Sequence, residues 1–99
     1  MLDLLNQRLR FRAKLIDAGF THVKFTDIFR IDTNEKVSDY VRSKYNNELR
    51  KLNLKENDVV EFDATVKLIF HSYRPMKSVR CRFYRITKPT KLENNNGDH

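Results

Sequence analysis

Only two glycines, Gly19 and Gly97, occur in the 99 residues. That excludes phosphate-cradling loops and dinucleotide fingerprints, both of which need several glycines in fixed register. Cys81 is the one cysteine, so no internal disulfide can form, and with no apolar run ending in a small-residue cleavage site at the N-terminus the chain reads as cytoplasmic. Apolar runs are short, "LIF" at 68–70 being among the longest, far below the ~20 residues that cross a bilayer, so no membrane partner is expected. His22, His71 and His99 stand at no metal-ligand spacing with one another or with Cys81. Neither a catalytic constellation nor a metal or cofactor site emerges, which points to a binding protein and not an enzyme.

Positive charge is what the chain has in excess. Twenty Lys and Arg against 13 Asp and Glu give +7 and a pI near 9.8, and the excess lies between Arg8 and Arg85, within the part expected to fold. A balance of this sign favours anionic partners. In "RLRFRAKL" the cations Arg8, Arg10, Arg12 and Lys14 alternate with Leu9, Phe11, Ala13 and Leu15. A period of two belongs to a strand, with the apolar set facing a core and the cations about 7 Å apart on the other face. Two readings of that row are open. It is a solvated face matched by acids on neighbouring strands, or Arg10, Arg12 and Lys14 line a groove continuous with Lys24 and Arg42.

Further strands follow from the same periodicity. After the leader 1–7 and the first strand, which breaks at "DAGF", the run "THVKFTDIFRI" places Val23, Phe25, Phe29 and Ile31 on one parity, with His22, Lys24, Thr26 and Arg30 on the other. "VSDYVRSKY" puts Tyr40, Arg42 and Lys44 on a common face. "NNELRKLNL" changes period, Leu49, Leu52 and Leu54 following a candidate N-cap at Asn46 or Asn47, which predicts a short helix. Asn57 is the residue of "KEND" best suited to a left-handed turn. "DVVEFDATVKLIF" alternates almost without fault, and "VRCRFYRI" supplies a fifth strand with Val79, Cys81 and Phe83 inward and Arg80, Arg82 and Tyr84 outward. Residues 88–99 lack apolar spacing and read as a flexible tail. Phe11, Phe25, Phe62, Val66 and Phe83 are the expected core, and Phe20, a lone aromatic after a glycine turn, is expected to plug it. Glu61 and Asp63 are expected to pair with Arg80 and Arg82 across adjacent strands.

The fold class expected is mainly β: three strands, a short helix and two strands over residues 8–87, the order of the five-stranded OB-like barrel. Within it "LKENDVVEFDATV" resembles the segment L-x-x-G-D-x-V-x-F-x-A-x-V that enters the fourth strand of OB-fold proteins, with Asn57 in place of the glycine. "TDIFRIDTNEKVSDYV" resembles the middle strands of small OB-like proteins carried by bacterial phages and other mobile elements, although "SDYV" stands where those have a D-H-x-W motif. The resemblance implies single-stranded DNA or RNA as ligand, bound with little sequence selectivity over strands two and three and the flanking loops, in replication or recombination of a mobile element. It places Lys24, Tyr40, Arg42 and Lys44 on the platform, with His71, Tyr73, Arg74 and Lys77 in the flanking loop "HSYRPMKS" and Phe20 in the other flanking loop, the alternative to its reading as a core plug. Cations there would meet phosphates and exposed rings would stack on bases. The alternative is an interaction module or inhibitor whose basic face docks on an acidic surface of a larger replication or nucleic-acid-processing protein.

Overall fold

The computed structural model describes residues 2–72 and 77–92. Five strands form one antiparallel sheet: β1 (Arg8–Ala18), β2 (His22–Arg30), β3 (Lys36–Lys44), β4 (Val59–Ser72) and β5 (Lys77–Lys91). Their spatial order is β3-β2-β1-β4-β5, and a short helix, α1 (Asn47–Arg50), joins β3 to β4. Asn46 caps that helix, its side-chain oxygen accepting the Leu49 N–H at 3.0 Å, and Leu49 is fully buried. The turn into β4 uses Asn57 at φ 74°, the left-handed conformation that asparagine tolerates without a glycine.

The apolar set of each strand meets in one core. Phe11, Phe25 and Phe62 are wholly buried and Phe83 nearly so, with ring centroids 4.8 Å apart for Phe11 and Phe83 and 5.4 Å for Phe25 and Phe62. The leader joins them: Leu4 is buried, and Leu5, ahead of the start of β1, bridges to Val66 in parallel fashion.

Backbone irregularities account for three departures from the strand pattern. Asp27, at φ 52°, shifts the parity of β2, so Ile28 enters the core after Val23 and Phe25 while Phe29 turns out beneath Arg12. In β5 the pairs Thr65↔Tyr84, Asp63↔Thr87 and Glu61↔Thr90 each advance three residues on β5 for two on β4. Arg85 at φ 58° and Lys88 at φ 50° mark these two bulges, which bend the strand and increase its twist. β5 therefore curls on through Lys91, opposite Val60, whereas the sequence pattern ends it near Ile86.

The expected barrel is not closed. β3 and β5 run parallel to each other at the two edges of the sheet, and no ladder joins them. They are tied by side chains instead: Ser43 Oγ donates to the Phe83 carbonyl at 3.3 Å and Asn46 Nδ2 to the Ile86 carbonyl at 2.9 Å. These bonds occupy β5 carbonyls that a ladder would use, and they leave a seam between the two edges.

Candidate functional site

The cation row on β1 is largely engaged within the fold. Arg10 lies 3.1 Å from Asp63 and 3.8 Å from Glu61, because the β1–β4 register sets Arg10 opposite Asp63 and Arg12 opposite Glu61. Arg12 donates to Asn34 Oδ1 at 3.2 Å and lies 5.2 Å over the Phe29 ring. Arg8 donates to Thr65, Thr87 and the Arg85 carbonyl. Lys14 is half-buried opposite Thr26 and Val59. The reading of a face matched by acids on the next strand holds for Arg10. The acids of β4 are thus taken by β1, and Arg82, which was expected to meet them, stands opposite Lys67.

Three further cations outside the seam are matched by acids. Lys36 sits 2.7 Å from Asp39 and 3.3 Å from Asp27, which raise its pKa above the usual ammonium value. Arg30 is paired with Asp32 at 2.8 Å, and Lys91 with Asp58 at 3.3 Å.

The seam is different. A groove of about 1150 Å³ runs along it, floored by Val41, Phe83 and Ile86 of the core. Arg42 and Lys44 of β3 line one side, Arg82 and Arg85 of β5 the other, and none of the four makes an ion pair among the described residues. Tyr40 and Tyr84 flank the groove from opposite strands with 43% and 50% of their surface exposed. Among the described residues no Asp or Glu lines it. A cleft with one sign of charge and an apolar floor concentrates field toward an incoming anion. Next to it on β2, Lys24 pairs in register with Arg42, which widens the cationic surface.

Of the residues singled out in the sequence, the fold brings together Tyr40, Arg42, Lys44 and, one strand away, Lys24. Arg10 and Arg12 are drawn into contacts of the sheet. Tyr73 and Arg74 lie outside the described residues, and Lys77 opens β5 with its side chain outside them. Sequence reasoning left out Arg82, Tyr84 and Arg85. The outward parity of Arg82 and Tyr84 was readable, and only the partner of Arg82 was assigned wrongly. Arg85 reaches the groove at a bulge that no glycine announces.

Phe20 does not plug the core. It is 91% exposed in a turn whose backbone is held on every side: the Gly19 N–H donates to the His22 carbonyl at 2.8 Å, Arg50 Nη2 to the Phe20 carbonyl, and the Tyr45 N–H to the Thr21 carbonyl at 2.8 Å. Arg50 in turn lies 4.4 Å over the Tyr45 ring.

Comparison with known proteins finds no matching family model, curated protein or solved structure.

Proposed function

We propose that the chain binds single-stranded nucleic acid along the seam between β3 and β5, with little sequence selectivity, in an OB-like barrel left open on that side. The observation carrying this reading is that, among the described residues, Arg42, Lys44, Arg82 and Arg85 make no ion pair and share one groove lined by no acid with half-exposed Tyr40 and Tyr84. Arginine forks and a lysine ammonium on both sides suit a phosphate backbone, whose condensed counterions they release. The tyrosine rings offer faces for bases at about 1–3 kcal/mol each. In a duplex the faces of the bases are already stacked on one another, so the aromatic part of the site works only on unpaired strands. Every base has such a face, hence the weak sequence preference.

The test is fluorescence anisotropy with labelled 12-mers of single-stranded DNA and RNA and the matching duplex at about 50 mM salt, where counterion release most favours association. Binding of single strands ahead of duplex supports the reading, and no binding at that salt overturns it. Tyr84→Ala is expected to lower affinity about tenfold while leaving the salt dependence unchanged, since stacking releases few counterions.

The opening cation row gives a contrasting expectation. Because Arg10 faces Asp63 and Glu61, and Arg12 faces Asn34 and Phe29, these guanidinium groups are not free to displace counterions from a ligand. Arg10→Gln combined with Arg12→Gln should leave both the affinity and its salt slope as in the parent protein. A flattened slope in that variant would move the ligand onto the β1 face.

A further inference from the structure

Phe20 is a large aromatic held in water by an ordered turn. Apolar surface of that size costs free energy when hydrated, and a mobile turn could fold it away. Here the carbonyls of Phe20, Thr21 and His22 all accept hydrogen bonds, from Arg50, Tyr45 and Gly19, and the ring is still 91% exposed. The turn is also placed next to the groove. His22, two residues on, lines it and is in register with Lys44, while Arg50, which holds the Phe20 carbonyl, is anchored over Tyr45 directly after β3.

We infer that Phe20 is a third base-stacking residue, which extends the nucleic-acid path out of the seam, past Lys44 and His22, to the β1–β2 turn. The inference rests on the reading of the seam given above. It also fixes a site length. Tyr40 and Lys44 are four strand residues apart, about 13 Å, and the step from Lys44 across to the turn adds several more, so the path from Tyr40 to Phe20 is roughly 20 Å. At about 3.4 Å per stacked nucleotide, and more where the strand is extended, that is about four to six nucleotides, the lower end for a site of this kind.

A length series of oligothymidylates, dT2 to dT12, titrated against the parent protein and Phe20→Ala, reads this directly. In the parent, affinity should climb with length up to about six nucleotides and then rise only slowly. Phe20→Ala should bind dT2 and dT3 as the parent does and dT6 to dT12 about tenfold or more weakly, and Phe20→Trp should restore the loss. An exposed ring contributes nothing to the core, so the thermal melt of Phe20→Ala should match the parent. Equal loss at every length, or no loss at any length while Tyr84→Ala is impaired, overturns the role of Phe20 and leaves the groove reading standing. If the parent protein binds none of the oligonucleotides, both fall together.

Discussion

Phe62→Ala is expected to unfold the domain at room temperature or leave it barely folded. Phe62 is wholly buried at the middle of β4, and its ring meets three others: Phe11 of β1 at 6.4 Å, Phe25 of β2 at 5.4 Å and Phe83 of β5 at 5.0 Å, the last edge-on. It is thus the side chain through which four strands of an open sheet are packed into a single core. Truncating a buried phenylalanine to alanine costs about 3–5 kcal/mol through lost transfer free energy and the cavity left behind. Small domains hold about 5–15 kcal/mol in all, with short chains toward the bottom of that range. With no barrel closure between β3 and β5, no further ladder compensates. Urea unfolding followed by circular dichroism measures the loss, and a variant with the parent's midpoint would mean that this ring is not the centre of the core.

The strand that carries Phe62 is also the one most legible in the sequence. Val60, Phe62, Ala64 and Val66 alternate without interruption, and all four are buried. Local rules likewise sufficed for α1, whose cap is one asparagine bonded to the amide three residues on, and for the Asn57 turn. They failed where the backbone departs from its period at residues that give no warning. Asp27, Arg85 and Lys88 take positive φ without being glycine, and each changes which side chains face out. After Asp27 the core position passes from Phe29 to Ile28, and after Arg85 the strand bends on to Lys91 along β4. Pairing between distant strands was the other limit. That β1 and not β5 would supply the partner of Asp63 depends on register across 53 residues, which periodicity does not encode. The candidate site was therefore half readable. Tyr40, Arg42 and Lys44 share a face by spacing alone, but the opposite wall exists only because β5 curls back toward β3.

The strongest expected effect on binding comes from taking one cation from each wall of the seam. Arg42→Gln with Arg82→Gln keeps the length and polarity of the side chains while removing two charges that make no ion pair in the described structure, so stability should be little affected. Each phosphate contact to a single strand contributes about 0.7 to the slope of log K against log salt, and losing two should flatten that slope by about 1.4. Extrapolated from a 1 M reference, such a change lowers affinity by roughly 60-fold at 50 mM salt and about tenfold at 200 mM, fading as salt rises. The two groups act from opposite walls, so each single variant should account for about half of the change in slope if one strand lies between them. If instead Arg82→Gln alone leaves the slope intact and Arg42→Gln carries all of it, the ligand lies over β2 and β3 beside Lys24 and the seam is not its path. A loss that is the same at every salt concentration would show that the glutamines disturb the groove's shape and not its charge, and the phosphate assignment of Arg42 and Arg82 would then be wrong.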